Sequence, residues 1–458
     1  MNLQVHNTTT GLISRLQTVI EPGTEALLVG GVVRDQLSGI PCHDIDIILR
    51  ADAKQIARKA ADLLGGKFFP LDETRGMYRI LLTGNDGQMD VVDIGKFQAD
   101  TLEEDLKLRD FTINAMAVRL HDPVKLIDPL NGKKDLQDHI LRTCAAHSLK
   151  NDPVRVIRAA RLALAFDLRL APELLATIRS ASLLLPETSA ERRRDEFYKI
   201  LDGVHPASAV RLLDSFGVLP SLLPELLDLK GVAQSAPHSM DVWEHTLASM
   251  DQLNRLLDLF LSPVSILADG GNLTLGLAAG KLGKYRVAIQ EHYQHALNLF
   301  RTRKSLNLMG ALLHDIGKPQ TKTMDSDGKI HFYRHENLGA DLAYKRAQEM
   351  AHSEIESVAL SKMVAFHMRP RLFSKQERLP SRRSVYRFFL QAKEFGVDIC
   401  FLSLADYLAK TAYPPDQEAW GLELDRIAVY MEGWFNQKEK WVEPFRLLNG
   451  EEIMAAFN

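Results

Sequence analysis

Apolar positions along the first 135 residues switch period several times, and each switch predicts an element. Residues 8–20 (TTTGLISRLQTVI) follow a helical period behind a threonine cap, and Pro22-Gly23 ends that helix. Ala26–Val29 is a short apolar run that predicts a buried strand. Gly30-Gly31 closes it, and a helix is expected to start over Val32–Leu37. Asp44–Leu49 (DIDIIL) alternates polar and apolar, which predicts a half-buried strand. Lys54–Leu64 is helical in period and closes on Gly65-Gly66. Tyr78–Leu82 and Met89–Ile94 predict two more strands, joined by a turn at Asn85-Asp86-Gly87. The character changes after Leu102. Leu136 to Lys230 is mostly helical, with breaks near Pro172, Pro186 and Pro206. Gly231–Pro237 predicts a linker, and Val242–Val429 is helical again. That stretch is interrupted by a loose Gly-, Leu- and Ala-rich insertion at Ser262–Gly283 and by a hairpin at Asp325–Phe332 with Asp327-Gly328 at its tip.

With 458 residues the chain exceeds one hydrophobic core and predicts several domains. Hydrophobic residues at 46% and charged residues at 25% match an ordinary globular protein. A formal net charge of -3 rules out a general polycation, so any nucleic-acid affinity has to be local. Cys42, Cys144 and Cys400 fit neither a metal motif nor a disulfide framework, which is the pattern of a reducing cytosol. No signal peptide and no apolar run near the ~20 residues of a membrane span is apparent. A cytoplasmic protein without a membrane partner is expected.

The densest chemistry lies in Leu28-Val-Gly-Gly-Val-Val-Arg-Asp35 followed by Asp44-Ile-Asp46. Gly30 and Gly31 carry no Cβ, so backbone approaches a ligand closely there, and the N–H groups opening the next helix favour negative charge. Arg34, one turn in, is placed to contact phosphate. Asp44 and Asp46, two apart on a strand, share a face. Carboxylates held that close call for a cation, and Mg²⁺ takes one or two carboxylates together with substrate phosphates. The parts describe a triphosphate cradle beside a two-metal site. They resemble the signature of the class II tRNA nucleotidyltransferases, the CCA-adding enzymes and their poly(A) polymerase relatives. That resemblance implies a small polymerase-β-like head in which Asp44 and Asp46 bind Mg²⁺ and are catalytic.

The resemblance extends along the chain. Leu108-Arg-Asp-Phe-Thr-Ile-Asn-Ala-Met116 is similar to the family's second motif, with Leu108 in place of a usual arginine. It implies that Arg109, Asp110 and Asn114 contact the nucleotide's sugar and phosphates. Asp128–Leu136 is similar to the third motif. Asn151-Asp-Pro-Val-Arg155 is expected to start a helix, with Asn151 or Asp152 as cap and Pro153 in the first turn. Arg155, Arg158 and Arg161 then lie along one side. The segment resembles the family's base-reading motif, with Asn151 where glutamate is usual. Asp152 and Arg155 would offer hydrogen bonds to the base of CTP or ATP, leaving Arg158 and Arg161 for phosphate. Glu191–Leu201 resembles the fifth motif, which implies a helix that mainly braces the neck, with Arg192–Arg194 and Lys199 also placed to touch RNA phosphate.

In the second helical region, His245, His314-Asp315 and Asp406 follow the order of the HD phosphohydrolases. Ala311–Pro319 (ALLHDIGKP) is the core of the resemblance. His335 and His367 fall where dinuclear members place further ligands, and imidazole with carboxylate suits a divalent transition metal.

The fold class expected is therefore α+β: a polymerase-β-like head (24–135) behind an N-terminal helix (1–23), a helical neck and body (136–230), a helical HD domain (231–420) and a helical tail (421–458). The implied reaction is template-independent addition of C and/or A to the 3′ end of tRNA, gripped by its acceptor stem. Alternatives are a CC-adding or A-adding enzyme, a poly(A) polymerase, or a protein whose main work is HD phosphodiesterase or phosphatase chemistry. Only Gly95 to Lys107 separate the last predicted strand from the second motif. Full CCA-adding members usually carry a longer loop there, and CC-adding members resemble the short version.

Overall fold

Strand Ala26–Val29 (β1) is buried at all four positions, as a continuous apolar run requires when both faces of a sheet are covered. In the computed structural model, residues 7–40, 42, 44–83, 89–262, 272–298, 300–372, 379–410, 414–444 and 454 are described, so the expected turn at 85–87 lies outside them. The chain divides into two units, Met1–Leu184 and Leu185–Asn458.

In the first unit, helix Asn7–Val19 (α1) precedes β1, and Gly31–Ser38 (α2) leads to Asp44–Leu49 (β2). Ala53–Leu64 (α3) starts on Asp52, whose carboxylate accepts from the Lys54 and Gln55 amides, and ends on Gly65 at φ 71°. Strands Lys67–Asp72 (β3), Met77–Thr83 (β4) and Met89–Lys96 (β5) follow, then helix Leu102–Lys107 (α4). Strands Ala117–Arg119 (β6) and Asp122–Ile127 (β7) complete a seven-stranded sheet of order β3-β4-β5-β2-β1-β6-β7. The β2–β5 pair is parallel and the other pairs are antiparallel. Three strands escaped the hydrophobic pattern. β3 and β7 are the two edges and each contains a proline (Pro70, Pro123), while β6 has three residues.

One face of the sheet, with Leu28, Ile45, Ile47, Ile80, Val92 and Ile94, packs against Leu16 and Ile20 of the N-terminal segment and Ala57 and Ala60 of α3. Each fully buried Leu, Ile or Val side chain among them contributes about 1.5–3 kcal/mol. The other face carries Leu27, Val29, Ile48 and Ala117, covered by Leu106 and Ala115. By alternation Asp44, Asp46 and Asp93 emerge on this second face.

Short helices Gly132–Gln137 (α5) and Ser148–Asn151 (α6) then lead to Arg155–Ala165 (α7) and Pro172–Ser182 (α8). The expected cap at 151–152 does not form. Asn151 ends α6, Asp152 is extended, and α7 begins without a side-chain cap behind Val154. Gly132 has a steric cause: a Cβ there would run into the Thr112 carbonyl.

The second unit is almost entirely helical. Its longer helices are Ala190–Leu201 (α9), Pro206–Ser215 (α10), Val242–Leu261 (α11), Leu273–Leu282 (α12), Arg286–Gln294 (α13), Arg303–Leu313 (α14), His335–Glu349 (α15), Glu354–Phe366 (α16), Arg382–Ala392 (α17), Gly396–Lys410 (α18) and Gln417–Met431 (α19). The expected hairpin is present as Lys322–Met324 paired with Ile330–Phe332. The insertion read as loose at 262–283 contains helix α12, capped by Asn272. Its Ala and Leu residues form a helix despite two glycines because one face, with Leu275, Ala278 and Leu282, is buried. No helix among the described residues is long and apolar enough to cross a membrane.

Candidate active sites

In the first unit β1 ends at Gly30, which has φ 75° and caps α2. A Cβ there would lie 2.9 Å from Asp46 Oδ2 and 3.1 Å from an Arg109 guanidinium nitrogen, so the turn, the carboxylate and the arginine meet at one spot. Asp46 faces Asp93 in the parallel β2–β5 register, and Asp44 sits two residues before it on the same face. Asp93 accepts a bidentate pair from Arg79, Nε at 2.8 Å and a terminal nitrogen at 2.7 Å. The hydrogen bond to Asp93 raises the Arg79 pKa, and the charges of Asp93, Asp44 and Asp46 add to it against the effect of burial. Like-charged carboxylates that already share an arginine's field are a fitting seat for divalent cations. Neither Asp93 nor Arg79 stands out in the sequence. The signal present was an acid inside a strand, and only register reveals which strand lies beside it.

The second-motif residues face inward. Asp110 is buried, accepts from the Phe111 amide at 2.7 Å, and receives Asn114 at 3.1 Å and Arg158 at 3.0 Å. Burial pushes the Asp110 carboxyl up, but the Arg158 charge and hydrogen bond more than reverse this and hold it below the usual range. Arg158, expected to serve phosphate, directs one terminal nitrogen at Asp110 and keeps its side chain 31% exposed. Arg155 donates to the carbonyls of Arg109 at 3.1 Å and Leu108 at 3.0 Å and to Ser148 Oγ at 2.7 Å, with Asp152 Oδ2 3.7 Å from its Nε. Asp152 and Arg155 thus stand together beside the Arg109 segment. Arg161 is half-buried on the same helix.

Arg34 was expected to meet phosphate, but the structure turns it inward. It is 8% exposed, donates to Asp35 at 2.8 Å and to Asn114 Oδ1 at 2.6 Å, and its guanidinium lies 4.4 Å from the centre of the Phe166 ring.

In the second unit the six histidines and aspartates read from the sequence converge, all of them buried. His245 Nε2 lies 3.0 Å from Asp406 Oδ1 and 3.6 Å from Asp315 Oδ2. His314 Nε2 is 3.2 Å from Asp315 Oδ2, and His335 Nε2 is 3.4 Å from Asp315 Oδ1. The His367 ring centre is 5.1 Å from that of His314 and 5.5 Å from that of His335. His314, His335 and His367 each donate Nδ1–H to the carbonyl three residues before, Ala311, Phe332 and Val364, at 2.7–2.8 Å. That fixes the tautomer and points each Nε2 lone pair inward. The Nε2 atoms of His314 and His335 are buried without a hydrogen-bond partner, which fits a metal-coordinating role. Two groups, His245–His314–Asp315 and Asp315–His335–His367, have ligand atoms within 4.8 Å of one another, so Asp315 belongs to both groups that could hold a metal ion. Burial pushes His367 down to about 3, leaving it neutral and able to ligate. A cavity of about 260 Å³ opens on this centre, with Lys318, His331 and Lys410 in its wall.

Three family descriptions match in chain order: the Poly A polymerase head domain over residues 26–142, the probable RNA and SrmB-binding site of polymerase A over 167–229, and the HD domain over 280–411. His245 lies outside the last of these and joins its centre only in three dimensions. An A-adding tRNA nucleotidyltransferase of Deinococcus radiodurans is 31% identical over 440 residues, 94% of this chain and 86% of the relative. A CC-adding tRNA nucleotidyltransferase of Thermus thermophilus is 30% identical over 94% of this chain and 85% of its own length. The Thermotoga maritima CCA-adding enzyme, solved in complex with tRNA, shares the fold with a TM-score of 0.54 at 20% identity, covering 99% of this chain and 87% of its own. The head-domain match and these relatives define a nucleotidyltransferase, a family that depends on a divalent metal. The chain belongs to the tRNA nucleotidyltransferase family, with an HD domain in its C-terminal half.

Proposed function

We propose that this protein adds C and/or A to the 3′ end of tRNA from CTP and ATP without a nucleic-acid template. The observation that carries the reading is the meeting of Asp46, Gly30 and Arg109 at one spot, with Asp152 and Arg155 held beside the Arg109 segment. Asp44 and Asp46 would hold Mg²⁺, with Asp93 beside them. Bound there, Mg²⁺ lowers the pKa of the primer's 3′-hydroxyl and offsets charge on the departing pyrophosphate. In the reaction the 3′-oxygen loses its proton and bonds the α-phosphorus, while the bond from that phosphorus to the β-phosphate oxygen breaks. Gly30 and Gly31 let the backbone approach the triphosphate, and Arg109 supplies positive charge beside it. Asp152 and Arg155 present acceptor and donor edges that suit C or A and leave G or U with unpaired groups. Arg109 is held through its carbonyl, which accepts from Arg155 at 3.1 Å, with Asp105 4.0 Å from its Nε. The test is incorporation into tRNA by Asp152→Ala and Arg155→Ala. Both are expected to lose the preference for C and A over G and U.

Within this activity, one observation favours C addition. β5 and α4 are joined by only Phe97–Thr101, Thr101 closes a capping box with Glu104, and Arg50 stacks 4.4 Å from the Phe97 ring. Such a short, tied connection resembles the CC-adding members. Gel analysis of products made with CTP alone, then with ATP added, separates the cases.

The HD centre supports a second activity, metal-assisted hydrolysis of a phosphoester. His245, His314, Asp315, His335, His367 and Asp406 would hold one or two transition-metal ions, which supply a nucleophilic hydroxide at neutral pH. Lys318, paired with Asp315 at 2.6 Å, and Lys410, paired with Asp406, line the cavity wall.

A further inference from the structure

We propose that Arg34 and Phe166 form a positioning clasp that sets the angle of the base-reading helix α7, and so tunes nucleotide selectivity without touching the nucleotide. This inference rests on the reading of Asp152 and Arg155 as the base-contacting pair.

The side chains close a ring. Arg34 donates to Asn114 Oδ1 at 2.6 Å, and Asn114 Nδ2 donates to Asp110 Oδ1 at 3.1 Å. Arg158 of α7 donates to Asp110 Oδ2 at 3.0 Å. Eight residues further on, Phe166 caps the C-terminal end of α7 and lies under the Arg34 guanidinium, 4.4 Å from ring centre to Cζ. The helix is thus pinned near its start by Arg158 and at its end by Phe166, and both pins lead back to Arg34.

Arg34 also belongs to the glycine turn. It sits in the first turn of α2, and a Cβ on Gly31 would lie 3.4 Å from one of its terminal nitrogens. Its Nε donates to Asp35, and that carboxylate also lies 2.7 Å from a second guanidinium nitrogen. A guanidinium at 8% exposure, charge-paired, hydrogen-bonded and stacked on a ring, is a rigid connector. One planar group therefore ties the turn beside Asp46 to the helix that carries Arg155. An arginine serves here where a lysine does not, because only the planar fork bonds Asp35 and Asn114 in its plane while stacking on a ring. Without the Phe166 pin, the Arg158–Asp110 bond and the bonds of Arg155 to Arg109, Leu108 and Ser148 alone set the pose of α7, and a tilt at its C-terminal end is passed to the Asp152–Arg155 pair as a small displacement. Displacements of about 1 Å at a reacting centre cost about 10²-fold in rate.

The test uses the full-length protein and a tRNA transcript lacking its CCA end, with single-turnover kcat/KM measured for CTP and UTP separately. Phe166→Leu and Arg34→Lys are each expected to lower the CTP-over-UTP ratio about tenfold or more, while Phe166→Tyr retains the wild-type ratio. Thermal unfolding is followed in parallel, and Arg34→Lys carries the test by itself where Phe166→Leu does not fold. An equal fall in kcat/KM for both nucleotides, with the ratio intact in Phe166→Leu and Arg34→Lys, overturns the clasp. A rise in KM common to both nucleotides in Arg34→Lys, with Phe166→Leu silent, also overturns it and makes Arg34 a phosphate ligand. A wild-type protein with no preference for CTP over UTP would instead remove the base-reading assignment itself, so the two failures are distinguishable.

Discussion

Asp46 and Asp93 stand side by side, paired in register across the parallel strands β2 and β5, and Arg79 grips Asp93 with two hydrogen bonds. The acidic face of the sheet therefore holds three carboxylates, Asp44 included. Asp46→Ala is expected to remove nucleotide incorporation and Asp44→Ala to do the same. Asp93→Asn, which touches a supporting carboxylate, should lower it about 10–100-fold. Incorporation of labelled CTP into tRNA at several Mg²⁺ concentrations checks this. Full activity in Asp46→Ala would place the active site elsewhere.

The HD centre predicts bound metal independently of tail addition. Protein purified without chelator should contain transition metal by elemental analysis, and His314→Ala with Asp315→Ala should lose it together with any phosphoesterase activity. Incorporation of CTP into tRNA should persist, because no residue of the HD centre belongs to the carboxylate strand. Loss of both activities in a folded variant would refute separate sites.

Gly132 predicts a steric effect. Ala at this position drives a Cβ into the Thr112 carbonyl, beside Asn114 in the second motif. Gly132→Ala should destabilise the first unit by about 1–3 kcal/mol, the usual cost of overpacking. A thermal unfolding midpoint equal to wild type would show that the backbone relaxes freely.

Acid stability follows from Glu356, which accepts a bidentate pair from Arg301 at 2.7 Å and closes a capping box with Ser353. Burial raises its pKa, but the Arg301 and Ser353 hydrogen bonds dominate and bring it down to about 2. The folded value is below the unfolded one, about 4.3, so the pair's contribution is fully present above that pH. It is lost as pH falls from there toward 2. Glu356→Gln should thus lower the thermal midpoint at pH 7 and converge with wild type near pH 2. A difference that is the same at both pH values would contradict the assignment.

How far the sequence reached depended on whether the partners were close along the chain. Asp44 and Asp46 were legible because strand alternation puts them on one face just after a glycine turn. The six HD-centre residues were legible from residue type and order, and the Nδ1 bonds of His314 and His367 to carbonyls three residues back are local consequences of their helices. Asp93 was not, because its meaning comes from strand register. The inward turn of Arg34 depends on Phe166, which lies far along the chain, so helical position alone pointed it at phosphate. The edge strands β3 and β7 were hidden by their prolines. The helix Leu273–Leu282 was hidden by its glycines, which packing overrides.

The central claim is tested most directly by offering the purified protein three tRNAs: one lacking CCA, one lacking only the final A, and one complete. Each nucleoside triphosphate is supplied singly with Mg²⁺, and products are resolved on a gel. The account predicts that CTP extends the first tRNA by at most two residues, that GTP and UTP extend none, and that the complete tRNA is left unchanged. Failure to extend any of the three, or equal use of all four nucleotides, would contradict it.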